Sequence, residues 1–317
     1  MDSLLIDGDI LLYRCGFACQ KRTHTVYVED TPTIEFDSIK EANAHSEDIE
    51  GSYVESSMTV EPIENALQAV KTCLNSIYEK LFNTHSIIIL SGEGNFRREL
   101  DPEYKANRKE EDRPYYYNEI KDYMYVRGAL MVGGAEADDL LSLLQDDTTI
   151  IVSIDKDMLQ VEGLHYNFVK DELVHIDKYG ALYNFYTQLL VGDRVDNIIG
   201  VPGIGPKKAD KILMDTNVKD IQEYENLLWA KVQDAYLQAY PTQHPRDILK
   251  LLIKTGNLLW LKKPGREVWL PPQLSEEDYP QVKEIPTQIT IDRRGSVIQT
   301  YDSNIPDSKN VLHGLLL

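Results

Sequence analysis

Thr149-Ile150-Ile151-Val152-Ser153-Ile154-Asp155-Lys156-Asp157 is the stretch from which the fold can be read. It opens as a short apolar run rich in β-branched residues and ends in two acids. A run that is apolar on both sides of its backbone predicts a strand covered on both faces, as in parallel sheets. Leu4-Leu5-Ile6 repeats the pattern and ends in Asp7-Gly8-Asp9, and Ser86 to Leu90 (SIIIL) repeats it again. Helical spacing lies between these runs. Ile10 to Cys19 is one such segment. In another, opened by Glu61-Pro62, Ile63, Leu67, Val70, Leu74, Ile77 and Leu81 share one face. Pro114 to Arg127 and Ala137 to Leu144 also read as helices, with Ala129 to Val132 a short strand between them. This alternation predicts an α/β fold with a central parallel-rich sheet covered by helices. Sites in such sheets lie beyond the carboxyl ends of the strands, where Asp7 and Asp155 fall.

The second half changes character. From Tyr179 onward the pattern predicts helices alone: Tyr179 to Val191, Pro206 to Met214, Val218 to Leu228, Ala230 to Tyr240 and Arg246 to Leu259. The expected organisation is a core over 1–178, a helical region over 179–271, and an unassigned tail over 272–317. The tail carries a two-strand element, Gln288 to Ile291 and Ser296 to Thr300, around Asp292-Arg293-Arg294-Gly295. Within the core, His24 to Phe36 alternates around Asp30-Thr31-Pro32 as a hairpin does. Ser38 to Thr59 is polar and weakly patterned, and reads as a mobile part of an acidic insertion over about 29–60.

With 42% hydrophobic and 27% charged residues, the composition is that of a soluble globular protein. No run reaches the ~20 apolar residues of a membrane span. Met1-Asp2-Ser3-Leu4 has an acid where a signal peptide is basic, so a mature cytoplasmic chain is expected. Cys15, Cys19 and Cys73 are a sparse, odd set at no zinc-site spacing, and Cys15 and Cys19 read as core thiols. The formal net charge of −19 argues against a chain coated for nucleic acid. However, Glu29 to Glu64 holds eleven Asp/Glu against one Lys, about half of that excess. Basic residues concentrate in two places, Arg97 to Arg108 and Lys207 to Lys211.

Leu190 to Ile212 reads LVGDRVDNIIGVPGIGPKKADKI. Gly203-Ile204-Gly205 allows a sharp turn or a close backbone approach, and Pro206 suits the first position of a helix. The free N–H groups of that helix start, with Lys207, Lys208 and Lys211, make a sequence-blind phosphate grip of helix-hairpin-helix type. Asp193 and Asp196 lie just upstream, and carboxylates there repel a phosphate unless cations intervene. Asp7, Glu136, Asp138, Asp139, Asp155, Asp157, Asp193 and Asp196 all stand near strand or helix ends. Such a cluster raises its own pKa values unless cations are bound. Oxygen-only ligation selects Mg²⁺ or Mn²⁺. Two such ions, about 4 Å apart, suit in-line hydrolysis of a phosphodiester. The seven histidines fall in no nucleophilic pattern. Lys105 and Arg108, three apart, share a helix face. Tyr104 offers a stacking surface for an unpaired base, and Arg97 and Arg98 add phosphate contacts.

These residues carry a resemblance. Leu5-Ile6-Asp7-Gly8, Tyr104-Lys105-x-x-Arg108, Glu136-Ala137-Asp138-Asp139, Asp155-Lys156-Asp157 and Gly192-Asp193-x-x-Asp196-Asn197 with Gly200 to Lys207 occur in the order of the 5′-nuclease superfamily. That superfamily comprises flap endonucleases, the 5′-nuclease domain of DNA polymerase I and bacteriophage 5′→3′ exonucleases. Arg98 to Pro102 and Tyr104 to Lys109 resemble the phage enzymes most. The likeness runs from Leu4 to about Pro271 outside the insertion.

It implies a PIN-like core with a helical arch over about 95–127, followed by the helix-hairpin-helix region. It also implies a first metal on Asp7, Glu136 and Asp138, and a second held or surrounded by Asp139, Asp155, Asp157, Asp193 and Asp196. Lys105 and Arg108 would contact the scissile phosphate, and K⁺ would sit on the loop carbonyls of the grip. The family aspartate after the second strand is missing from Ser91-Gly92-Glu93-Gly94, so Glu93 stands as its replacement, with Asp9 behind the ligands. The implied activity is a Mg²⁺-dependent 5′→3′ exonuclease on double-stranded DNA that also removes flaps and RNA primers, in the host cytoplasm if phage-encoded. The alternatives are a flap endonuclease without processive exonuclease activity and a catalytically silent DNA-structure-binding protein. A related RNA-degrading nuclease is disfavoured, because it needs no duplex grip. The insertion and the tail would limit non-specific DNA binding or dock a single-strand-binding or other replication protein.

Overall fold

The computed structural model describes residues 3–108, 113–214 and 218–301, with the backbone alone at 298 and 299. Lys109 and the middle of the expected arch, 109–112, lie outside the described residues, as do residues 302–317 of the tail.

Of the described residues, 3–10, 78–108, 124–214 and 218–301 form one compact unit. Its centre is β1 (Ser3–Asp7), buried along its whole length as its apolar run requires. β1 pairs in parallel with β5 (Ser86–Ser91) on one side and β7 (Thr149–Val152) on the other. β5 pairs with β6 (Leu130–Gly133), and β7 with β8 (Gly163–Asn167), also in parallel. Antiparallel strands close both sides of this parallel centre. β9 (Glu172–Ile176) pairs with β8, while β12 (Ile289–Arg293) pairs with β6 and then with β13 (Ser296–Tyr301). α6 (Ala137–Leu144) packs Leu140 and Leu141 into the core that also holds Leu5, Ile89, Leu130 and Ile151.

The two-strand element expected in the tail is present as β12 and β13, and it joins the main sheet: Ile289 and Ile291, alternating with exposed Thr290, are fully buried in the same core. The β8–β9 hairpin was not expected, because β9 exposes nearly every side chain and has no apolar alternation to betray it.

The helical part of this unit has its own core. α7 (Lys178–Val191), α8 (Pro206–Leu213), α9 (Ile221–Ala239) and α10 (Pro245–Leu259) enclose Phe185, Tyr186, Trp229, Leu252, Trp260 and Trp269. α9 is one helix where two were expected. No Gly or Pro interrupts it, and the Asp220 side chain caps it by accepting from the N–H groups of Gln222 and Glu223 at 3.0 and 2.9 Å. Both cores fall in the same compact unit, so the boundary expected at 178/179 does not divide separate bodies.

Of the described residues, 11–77 and 113–123 form the second unit. Most of the expected mobile insertion is regular. β2 (Gln20–Val28) lies between β3 (Thr31–Phe36) and β4 (Ser52–Val60), antiparallel to both, with α2 (Ile39–Glu47) beside them. The strands are polar because little of this small sheet is buried. Val26 and Ala42 are fully buried and His24 nearly so, while most of β3 and β4 is exposed. Cys15 and Cys19 are buried, as expected of core thiols, and all three cysteines are free.

Candidate active site

Asp7 closes β1 and is almost wholly buried. Its carboxylate accepts from the Ser153 hydroxyl at 2.7 Å and from the Ile10 N–H at 3.1 Å. Burial, then Asp9 and Asp155, push its pKa up to about 7. Asp138, in the first turn of α6, is likewise pushed well above the carboxylate range by burial and by Asp7, Asp155 and Glu136. Burial with Asp155 lifts Asp157 to about 6, against the pull of Lys156.

Asp138 and Asp157 meet other acids at a cleft of about 390 Å³, whose lining does not include Asp7. Glu136, Asp138, Asp155, Asp157, Asp193 and Asp196 line it together with Lys105, Arg108 and Lys156. Every carboxylate here comes from the end of a strand or helix, or from the loop after α7. The parallel centre of the sheet is what carries segments so distant in sequence to one edge.

Cations sit among these acids. Lys105 contacts Glu136 and lies 3.5 Å from Asp196, and Arg108 contacts Asp196. Lys156 bridges Asp157 at 2.7 Å and Asp193 at 2.6 Å. Burial opposes ionisation of Glu136, but Lys105 and Arg97 hold its pKa low, and Lys156 does the same for Asp193. Among the described residues no three His, Cys, Asp or Glu groups already converge as a metal shell. The donor set nevertheless fits hard divalent cations, being all carboxylate oxygen. Asp7 and Asp138 also carry repulsion that Lys105 and Lys156 leave uncompensated.

Two loops are stitched together at the rim. The Lys105 N–H donates to the Asp196 carbonyl at 2.9 Å, the Asn107 amide to Arg194 O at 3.0 Å, and the Asn197 amide to Glu103 O at 2.8 Å. Lys105 sits at φ +56°, a left-handed conformation that costs a lysine energy and is held by these bonds. The 193–196 turn is closed by Asp193, whose carboxylate accepts from the N–H groups of Val195 and Asp196 at 2.8 and 3.3 Å.

Four expected residues do not take the expected parts. Tyr104 is buried, and its hydroxyl donates to Glu136 at 2.9 Å and Asp196 at 3.0 Å, so its ring offers no face to a base. Arg97 is fully buried and paired with Asp139, so neither the expected phosphate contact nor the Asp139 metal ligand is open. Glu93 is exposed and outside the cleft. A Cβ at Gly92 would come within 2.6 Å of the Val132 carbonyl, so the strand packing demands glycine where the family has its aspartate. Asp9 instead reaches this strand, its carboxylate accepting the Ser91 N–H at 3.3 and 3.2 Å.

Lys156, Ser153 and the segment Leu258 to Leu261, which lines the cleft, were not singled out from sequence. A lysine between two strand-end acids was the available signal for Lys156.

In the glycine-rich turn, Gly192 and Gly200 lie backbone to backbone, too close for a Cβ on either. Gly203 (φ +75°) and Gly205 differ: a Cβ on either meets nothing. The close-packing reason for glycine is thus absent at 205, which caps α8 ahead of Pro206. Lys207, Lys208 and Lys211 are exposed, as is Arg98. The Lys208 ammonium donates to the Gly203 carbonyl at 2.8 Å. No described helix is long and apolar enough to cross a membrane.

Residues 52–185 match the family described as 5'-3' exonuclease, N-terminal resolvase-like domain. The 5'-3' exonuclease of Buchnera aphidicola subsp. Schizaphis graminum is 28% identical over 247 residues, 71% of this chain and 73% of that protein. The flap endonuclease Xni of a Shewanella species is 29% identical over 175 residues, 48% of this chain and 67% of that one. The bacteriophage T5 flap endonuclease, solved with DNA and metal ions, aligns at a TM-score of 0.45 with 16% identity, covering 81% of this chain and 99% of the other.

Proposed function

This chain belongs to the 5′-nuclease superfamily, and within it we propose a metal-dependent 5′→3′ exonuclease that hydrolyses double-stranded DNA from its 5′ end and also cuts flaps and RNA primers. One observation carries the reading. Asp138, Asp155, Asp157, Asp193, Asp196 and Glu136, from separate segments, share one cleft with Lys105 and Arg108.

Asp7, Glu136 and Asp138 would hold one Mg²⁺ or Mn²⁺ ion, and Asp155, Asp157, Asp193 and Asp196 the other. Bound there, the ions supply an activated water and charge stabilisation for in-line displacement. The chain's own residues do the rest. Lys105 and Arg108, now on Glu136 and Asp196, would turn to the scissile phosphate as those carboxylates take other partners. Tyr104 orients Glu136 and Asp196 through its hydroxyl. Leu258, Leu259 and Leu261 form an apolar wall that strengthens the local electrostatics. Gly203, Gly205, Lys207, Lys208 and Lys211 would grip the phosphates of the duplex, for the open space over both glycines admits a ligand backbone. The Gly203 carbonyl, which now accepts from the Lys208 ammonium, would be among the groups that hold K⁺ in the grip.

The test is linear duplex DNA labelled at the 5′ end in one sample and the 3′ end in another, with Mg²⁺ or with chelator. Early short products from the 5′ label, in Mg²⁺ alone, are expected. Release from the 3′ label first, or binding without cleavage in both Mg²⁺ and Mn²⁺, would overturn the proposal.

A further inference from the structure

The three-stranded sheet of the second unit has two unlike faces. On one, Val26 stands opposite Ile34 and Val54, and His24 opposite Phe36 and Ser56. α2 covers this face, with His45 against the Phe36 ring at 5.4 Å. The other face carries Tyr27 opposite Tyr53, Thr25 between Glu35 and Glu55, and Thr23 opposite Ser57. The Tyr27 and Tyr53 rings stack at 5.2 Å and 8°, and Tyr53 is 44% exposed. Asp30, in a turn where it and Glu29 both have positive φ, anchors the stack by accepting the Tyr53 hydroxyl at 3.1 Å. Lys21, also on this face, is paired with Asp37 at 3.3 Å. β4 runs along the sheet edge with most of its side chains exposed.

We propose that this open face docks an extended, arginine- or lysine-rich segment of a protein partner. Charge selects the occupant. Glu35 and Glu55 flank the aromatic pair from both outer strands, in a stretch where eleven acids face one lysine. Such a surface repels phosphates, so the tyrosines do not serve as a platform for bases. It attracts a guanidinium, which stacks on a tyrosine face and bonds a carboxylate in the same pose. The unpaired edge of β4 offers backbone groups to an extended chain lying beside Tyr53 and Glu55.

The probe is a labelled synthetic peptide alternating arginine with threonine, titrated into the full-length protein at physiological salt and read by fluorescence anisotropy. The pairs Tyr27→Ser/Tyr53→Ser and Glu35→Lys/Glu55→Lys should each weaken binding by about tenfold or more. Glu276→Lys/Glu277→Lys makes the same charge change at exposed positions outside this unit and should alter binding by less than about twofold. Three results would overturn the proposal. They are no binding by the unmodified chain, equal weakening by the distant pair, or tyrosine-dependent binding of a single-stranded oligonucleotide in place of the peptide. Because Glu35→Lys/Glu55→Lys leaves the packed face untouched, it reports docking even if the tyrosine pair fails to fold.

Discussion

Arg97 and Asp139 form a two-pronged ion pair inside the protein, Nη1 to Oδ2 at 2.7 Å and Nη2 to Oδ1 at 3.0 Å, with both side chains fully buried. The pair is also a junction. Arg97 donates to the carbonyls of Leu258 and Trp260 at 2.9 and 2.7 Å, while Asp139 accepts the N–H groups of Glu136 and Lys262, each at 3.1 Å. It therefore ties α4 (Phe96–Leu100), the start of α6 and the segment after α10 into one frame, from which Glu136 and Asp138 reach the cleft.

Arg97→Ala or Asp139→Ala strands a buried charge, so each should cost about 3–5 kcal/mol in a urea denaturation series. Replacing both by apolar residues of similar volume should cost clearly less than either single change. A loss below about 1 kcal/mol for the singles would mean the pair is not the junction described.

Lys105→Ala should lower turnover by about a hundredfold or more, the order seen when one electrostatic donor is removed. Affinity for duplex DNA should change little. Single-turnover rates beside binding curves separate the two quantities, and an unchanged rate would remove Lys105 from the site.

Asp155→Asn and Asp196→Asn should each abolish hydrolysis and leave DNA binding intact, since each deletes a charge at the cleft. A gel-shift titration run beside the end-label assay reads both. Near-normal turnover in either variant would refute the metal assignment.

The pH dependence of stability has a definite sign. Asp7 is held near pH 7 in the folded chain against 3.8 for a free carboxyl, and Asp157 near 6. Between these values the folded state carries protons that the unfolded state has lost, so metal-free stability falls as pH rises toward 7. The slope is at most roughly 1.4 kcal/mol per pH unit for each proton. The Tm measured in chelator should drop from about pH 5 to about pH 8, and Mg²⁺ should raise it more at the upper end, where ligands need not lose protons to bind. A Tm that rises over that range in chelator would contradict the burial of Asp7.

Lys207→Ala with Lys208→Ala should weaken duplex binding without changing sequence preference. It should also flatten the log K against log salt slope by about 0.9 for each phosphate left without its lysine. An unchanged slope would show that α8 does not touch the backbone of DNA.

Much of this protein is legible residue by residue. Leu4 to Ile6, Ser86 to Leu90 and Thr149 to Val152 are apolar on both sides because strands at the centre of a parallel sheet are covered on both faces. Acids following such strands mark the edge where a site must lie. Gly203 and Gly205 mark a turn in the chain. All of these are properties of neighbours in the chain, where spacing carries the information. What required the tertiary structure was pairing across distance. The close backbone approach lies at Gly192 and Gly200, which only the packing reveals. Periodicity cannot say that Arg97 turns inward to Asp139, that Tyr104 gives its hydroxyl to two carboxylates, or that Gly92 rests on the Val132 carbonyl. Nor can it attach β12 to β6, or order the acidic stretch into a sheet whose strands are polar because little covers them. A basic or aromatic side chain looks the same in sequence whether it meets solvent, a phosphate or a buried acid, and only the packing of remote segments around it decides which.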